Sequence, residues 1–79
     1  MVPQYLVTIF EAMGLETENL SPELVLGSDG LGMDSQEVIE LYGRLEKSLQ
    51  ITLPLNSLKR TMSLAAVTQL IESQLLARV

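Results

Sequence analysis

The chain has 79 residues, of which 47% are hydrophobic, and five Lys and Arg against ten Asp and Glu give it a net charge of −5. A chain this short buries only about 60% of its unfolded surface, so we expect a single domain over residues 1–79. The acidic balance argues against a nucleic-acid ligand, because neutralising phosphates requires a basic patch. A basic protein partner fits this charge better.

His and Cys, two residue types that serve catalysis and metal binding, are absent from the sequence. Their absence removes disulfides, thiolate metal sites and thiol catalysis by the polypeptide itself, and it fits a reducing compartment. The longest apolar runs are too short to span a bilayer, and the N-terminus lacks the basic start of a secretory segment. We therefore expect a cytoplasmic protein.

The first predicted helix covers about residues 3–13. Pro3 suits a first helical position, and apolar residues follow at helical spacing. The pattern stops at Gly14, where Leu15 is placed for the contact of a Schellman motif. These signals predict a short amphipathic helix with a defined C-terminus.

Residues 15–33 are predicted to form a long ordered loop. They contain three glycines and Pro22, which argues against a continuous helix. They also contain more apolar residues than a solvated linker would, namely Leu20, Leu24, Val25, Leu26 and Leu31. We expect this loop to pack against the helices, with a short turn at residues 21–23.

The second predicted helix has a clear start. Asp34 is placed to cap it, and Glu37, three residues on, is placed to complete a capping box. Its apolar stripe is Val38, Leu41, Tyr42, Leu45 and Leu49, whereas its wetter side holds Glu37, Glu40, Arg44 and Lys47. Ser35 lies in the first turn, where unpaired backbone N–H groups and the helix dipole favour a phosphate.

The last third of the chain predicts two more helices. Leu53 and Pro54 end the second helix region, and residues 56–60 leave room for only a short helix. Thr61 or Ser63 then caps a last helix that carries Leu64, Val67, Leu70, Ile71, Leu75 and Leu76. The predicted fold is all-α: a small four-helix bundle, with three main helices plus one short helix, and a long ordered loop between helices one and two.

Ser35 has three interpretations: a catalytic nucleophile, a site of covalent modification, or an ordinary first-turn serine. A serine nucleophile needs a positioned base, and the chain has no His and no Lys in a recognisable motif. We therefore expect no catalytic residue and no enzyme. We also expect no metal site, because Leu31 and Met33 stand where a calcium loop would need oxygen ligands.

The residues around Ser35 carry a family resemblance. The motif LGMDS at residues 31–35, Leu-Pro at 53–54 and the Thr-Met-Ser-Leu stretch at 61–64 together resemble the acyl carrier proteins. The resemblance implies that Ser35 carries 4'-phosphopantetheine, taken from coenzyme A, through a phosphodiester. It also implies that acyl groups are held as thioesters on the terminal thiol, in fatty-acid or polyketide-type biosynthesis.

The resemblance further implies partners. These are a phosphopantetheinyl transferase and acyl-loading and condensing enzymes such as a ketosynthase or acyltransferase, with the carrier itself a monomer. Family members offer an acidic face to basic patches on such enzymes, and the matching residues are Asp34, Glu37, Glu40 and Glu46. Gln36, directly after the serine, is expected to contact partners as well. These residues equally suit a solvated helix face. In some members the core shelters an acyl chain; the matching residues, for which plain packing is the alternative, are Leu45, Leu49, Leu53, Val67 and Ile71.

Three positions depart from the family pattern. Gln36 stands where a Leu commonly follows the modified serine, and Gly30 stands where an acid is usual. Gly43 interrupts helix two at a cost of about 1 kcal/mol relative to Ala. One hypothesis is that Gly43 makes room for a bulky cargo or partner; the other is a tolerated exposed glycine. Two alternatives to an acyl carrier stay open: a peptidyl or other specialised carrier, and an unmodified helical docking module.

Overall fold

The computed structural model describes residues 2–77, so residue 1 and residues 78–79 of the predicted domain lie outside it. Three helices follow in chain order: α1 is Gln4–Ala12, α2 is Ser35–Leu49 and α3 is Leu64–Ala77. Within the described range there is no strand, only an isolated bridge between Val25 and Ser63. The predicted all-α class is confirmed.

The end of α1 shows the predicted Schellman motif. Gly14 has a φ of +81°, and its N–H donates to the Glu11 carbonyl at 3.0 Å. The Leu15 N–H donates to the Phe10 carbonyl at 2.9 Å, which completes the motif. At the start of α1, Pro3 is the N-cap. The sequence predicted it one position later, as the first helical residue.

The starts of α2 and α3 are set by side-chain caps. In α2 the Glu37 N–H donates to Asp34 Oδ1 at 2.8 Å, and the Asp34 N–H donates to Glu37 Oε1 at 3.0 Å. This is the predicted capping box. In α3 the cap is Ser63 rather than Thr61, because Ser63 Oγ accepts a hydrogen bond from the Ala66 N–H at 3.1 Å.

The short helix predicted over residues 56–60 is absent. Asn56 has a φ of +60°, a left-handed conformation that an α-helix cannot contain. The Ser57 N–H donates to the Pro54 carbonyl at 3.1 Å, in a turn. The segment between α2 and α3 instead buries three apolar side chains without becoming helical, namely Ile51, Leu53 and Leu58. The described residues therefore form three helices, not four.

One aliphatic core joins the helices to the loops. The helices bury Leu6, Ile9 and Phe10 of α1, Val38, Leu41 and Leu45 of α2, and Leu64, Val67 and Ile71 of α3. The residues between α1 and α2 add Leu26 and Met33, both fully buried. Because burying one such side chain contributes about 1.5–3 kcal/mol, this connection is part of the core.

Backbone hydrogen bonds pin the connection before α2 to the segment before α3. The Leu26 N–H donates to the Met62 carbonyl at 3.0 Å, and the Gly27 N–H donates to the Arg60 carbonyl at 2.8 Å. The Met33 N–H in turn donates to the Leu26 carbonyl at 2.9 Å. These bonds place the residues that lead into α2 against a part of the chain about 30 residues away.

The glycines at positions 30 and 43 have different surroundings. A Cβ at Gly30 would overlap the Val25 carbonyl oxygen and lie 2.7 Å from the Val25 nitrogen, so no side chain fits there. This explains why the family's usual acid is missing. A Cβ at Gly43 would meet no atom within 4 Å, and Gly43 is exposed on α2.

Two matched substitutions test this difference. We expect Gly43→Ala to raise the free energy of unfolding by about 1 kcal/mol, because Ala loses less conformational entropy in a helix. Gly30→Ala is expected to lower it by about 1–3 kcal/mol, because the added methyl displaces the Val25 backbone. Urea unfolding followed by circular dichroism measures both. A loss of stability in Gly43→Ala, or none in Gly30→Ala, would contradict this account of the two positions.

Candidate functional site

Ser35 is the first residue of α2, and its side chain is exposed. The capping box uses the N–H groups of Asp34 and Glu37. The N–H groups of Ser35 and Gln36 have no acceptor among the described residues 2–77. The Ser35 hydroxyl therefore lies at a helix start that has these two free donors and the positive end of the helix dipole. A phosphate ester on Ser35 fits this site.

The approach to Ser35 combines a fixed backbone with open space. Met33 is fully buried and holds the chain in place. Gly32 has a φ of +78°, and a Cβ there would meet no atom within 4 Å. Asp34 and Ser35 are both exposed. Ser35 therefore stands on an open surface, with room for an attached arm, rather than in a cleft of the kind that encloses a substrate.

Arg60 contacts the same stretch from the segment before α3. Its Nε donates to the Met33 carbonyl at 3.0 Å. A Cβ at Gly27 would lie 3.0 Å from Arg60 Cβ, so a glycine at that position lets Arg60 pack closely. A positive charge is thereby held two residues before Ser35. Sequence reasoning missed this contact, because nothing in the local pattern connects residue 60 with residue 33.

The residues predicted to bind partners differ in their surroundings. Asp34, Gln36 and Glu40 are exposed, whereas Glu37 and Glu46 are half-buried. The exposed members lie in the first two turns of α2, close to Ser35. The Glu40 carboxylate is paired with Arg44 Nε at 2.8 Å on the same helix, which offsets part of its charge.

Glu46 and Tyr42 of α2 hold the backbone of Leu53 from both sides. The Leu53 N–H donates to Glu46 Oε2 at 2.9 Å, and Tyr42 Oη donates to the Leu53 carbonyl at 2.6 Å. Burial, and then the charge of Glu46, raise the pKa of the Tyr42 phenol, so it remains a donor at neutral pH. Glu46 thus has a structural contact in addition to its predicted role toward partners.

An apolar groove of about 310 Å³ lies beside the Ser35 end of α2. Its lining residues are Val38, Ile39, Tyr42, Leu55, Asn56 and Leu58. Ile39 and Leu55 are 69% and 83% exposed, which is high for such large apolar side chains. Ile39 follows Ser35 by four residues, so both lie on one face of the helix. Sequence reasoning missed the groove, although Ile39 falls visibly outside the buried stripe.

The residues predicted to shelter an acyl chain lie in the core and do not line this groove. Leu45, Leu53, Val67 and Ile71 are buried, and Leu49 is partly buried against them. Gly43 also does not belong to the lining of the groove. The residues predicted to shelter an acyl chain are therefore enclosed in this structure, whereas the groove is open and has the buried core residues Val38 and Leu58 in its lining.

No three of the potential metal-binding side chains in residues 2–77 cluster closely enough to hold an ion. In the same range, no helix has the length and apolar character needed to cross a membrane.

A matched pair of substitutions tests the structural contact of Glu46. We expect Glu46→Ala to lower the free energy of unfolding by about 1–2 kcal/mol, because it leaves the Leu53 N–H without its acceptor. Glu40→Ala removes only an exposed ion pair and is expected to cost less than about 1 kcal/mol. Both changes replace Glu by Ala in α2 and so make the same gain in helix propensity. The difference between their free energies of unfolding in urea therefore reports the contact between Glu46 and the Leu53 N–H. Equal losses in the two variants would contradict it.

Residues 4–71 of the chain match the family model described as a phosphopantetheine attachment site. No curated protein and no solved structure gives a significant match. The matched range includes α1, the whole of α2 and the first half of α3. Domains of this family carry covalently attached 4'-phosphopantetheine for biosynthetic enzymes and are not catalysts themselves. The chain therefore belongs to the phosphopantetheine attachment site family and is a carrier domain rather than an enzyme.

Proposed function

We propose that this chain is an acyl carrier protein of fatty-acid or polyketide-type biosynthesis, and that Ser35 is its attachment residue for 4'-phosphopantetheine. One observation carries the proposal: the exposed Ser35 hydroxyl is on the first residue of α2, beside two uncapped N–H groups. When bound, the group supplies the terminal thiol that a polypeptide without Cys lacks.

The residues around Ser35 hold the phosphate end of the arm in our proposal. Asp34 keeps the helix start in place through its cap, and the N–H groups of Ser35 and Gln36, which have no acceptor among residues 2–77, would be free to bind the phosphate. Buried Met33 anchors the backbone on the other side. The attachment point is therefore rigid, while the arm itself extends into solvent and can reach several enzymes in turn.

The groove beside Ser35 supports an acyl cargo over a peptidyl one. Its exposed side chains, Ile39 and Leu55, offer apolar surface within reach of an arm attached four residues before Ile39. An aliphatic chain gains about 25 cal/mol for each Å² of apolar surface it buries, which a polar peptidyl group does not. Asp34 directly before the serine favours an acyl carrier as well. Mass spectrometry of the group attached in the native host is expected to find a fatty-acyl or polyketide chain; an aminoacyl or peptidyl group would contradict this assignment.

We infer that partner enzymes dock at the exposed part of the predicted acidic face. Asp34 and Gln36 flank Ser35 in the sequence, Glu40 follows five residues later, and all three are exposed, whereas Glu37 and Glu46 are half-buried. The partners are a phosphopantetheinyl transferase and acyl-loading and condensing enzymes that carry basic patches. The monomeric state, the cytoplasmic location and the single domain over residues 1–79 stay predictions from the sequence.

Modification of Ser35 is tested directly. The folded protein is incubated with coenzyme A and a phosphopantetheinyl transferase, and its intact mass is measured. We expect one phosphopantetheinyl adduct on the native chain and on Ser48→Ala, which changes another exposed serine of α2. Ser35→Ala is expected to remain unmodified.

Two results would reject the proposal. An adduct that persists on Ser35→Ala would move the attachment to another residue. The absence of an adduct on the native chain, with its helical circular dichroism intact, would favour the unmodified docking module instead.

A further inference from the structure

We propose that Arg60 is a positioning residue for the phosphopantetheine arm, and that its guanidinium pairs with the phosphodiester carried by Ser35. The proposal rests on the attachment at Ser35 proposed above. It assigns a role to a cation from a distant segment, outside the helix that carries the attachment site.

Arg60 is held in place before any phosphate arrives. Its Nε donates to the Met33 carbonyl at 3.0 Å, and its own carbonyl accepts from the Gly27 N–H at 2.8 Å. A Cβ at Gly27 would lie 3.4 Å from Arg60 Nε, so the guanidinium stem lies against a position without a side chain. The Nε bond therefore restrains the exposed Arg60 side chain, and the backbone bond fixes the point from which that side chain extends. Both reduce the rotamer entropy, about 2 kcal/mol for a free arginine, that would be lost on binding a ligand.

The guanidinium keeps most of its donors. An arginine side chain has five N–H groups, and the bond to Met33 uses one of them, which leaves the four on the Nη atoms. Within residues 2–77, the ion pair that forms is between Arg44 and Glu40, so Arg60 has no carboxylate partner there. Asp29 lines the hollow beside Arg60 without pairing with it. A fixed cation with free donors suits a phosphate, which accepts two parallel N–H bonds.

The distances permit the contact. One residue, Asp34, separates Met33 from Ser35, and two steps along the chain span at most about 7 Å. The guanidinium therefore lies within about 10 Å of the Ser35 backbone, which is one Debye length at ordinary salt. The space beside Gly32, where a Cβ would meet no atom within 4 Å, leaves room for a phosphate that Ser35 would carry.

The charges near Ser35 favour a nearby cation such as Arg60. The carboxylates of Asp34 and Glu37 stand next to Ser35 in the capping box, and both repel a phosphate. The two carboxylates also offset part of the positive charge at this end of the helix dipole, which would otherwise attract the phosphate. A cation held at the Met33 carbonyl, two positions before Ser35, would offset this repulsion.

The experiment compares the native chain with Arg60→Gln and with Lys59→Gln, a control that removes the neighbouring exposed cation. Each is prepared with and without the arm, and intact mass verifies the attachment. Two NMR signals are recorded: the ³¹P resonance of the phosphodiester and the Nε–H resonance of Arg60. We expect the Nε–H signal to move when the arm is attached. The ³¹P signal should shift in Arg60→Gln but not in Lys59→Gln, and high salt should reduce that shift.

The outcomes separate this proposal from the one it rests on. If the native chain gains no adduct, attachment at Ser35 fails. If the adduct forms while the Nε–H signal stays in place and Arg60→Gln has the native ³¹P signal, the role of Arg60 is overturned and the attachment stands. A purely structural Arg60 would lower the stability of both forms without changing the ³¹P signal. Should Arg60→Gln not fold, two other measurements decide the question. One compares the Nε–H signal of the native chain with and without the arm. The other is the ³¹P signal of Arg60→Lys, which keeps the positive charge but loses the planar guanidinium with its paired N–H donors.

Discussion

The position of α2 depends on how the residues before it are tied to the residues before α3. Backbone hydrogen bonds run from Leu26 to Met62 and from Gly27 to Arg60, and Met33 is buried behind them. An isolated helix of this length is marginal in water, so its place in the fold comes from such contacts rather than from its own propensity. Because Met33 is fixed, the capping box forms at a defined point, and the exposed hydroxyl of Ser35 is presented there.

A second set of hydrogen bonds concerns the apolar groove beside α2. The bonds from Glu46 and Tyr42 to the Leu53 backbone hold the residues after α2 alongside the helix. Leu53 is buried, and exposed Leu55, two residues later, lines the groove together with Ile39. The position of Ser35, our proposed attachment point, and the groove thus depend on different contacts: the bonds before α2 for Ser35, and the bonds from Tyr42 and Glu46 to Leu53 for the groove.

The features that could be predicted from sequence are those decided within a few residues. The capping box at Asp34, the Schellman motif at Gly14 and the motif around Ser35 all depend on neighbours no more than five positions away. The bond from Arg60 to Met33 spans 27 positions, and no local sequence pattern predicts it. The absent helix at 56–60 has the same cause, because the clamp on Leu53 and the left-handed Asn56 give that segment a non-helical path. Residue types alone do not show such competition between local propensity and tertiary contact.

A carrier of this kind must satisfy two opposing electrostatic demands at one place. In our proposal, negative charge around Ser35 attracts enzymes with basic patches, and the same charge would repel a phosphate on that serine. The side chains near Ser35 differ in how they meet these two demands. The carboxylates of Asp34 and Glu37 are turned into backbone hydrogen bonds at the helix start, while Glu40 faces solvent further along α2. The N–H groups of Ser35 and Gln36 have no acceptor among residues 2–77, and Arg60 bonds the Met33 carbonyl two positions before Ser35. In our proposal, the exposed Glu40 attracts partners, while these donors and Arg60 keep the position of Ser35 favourable for a phosphate.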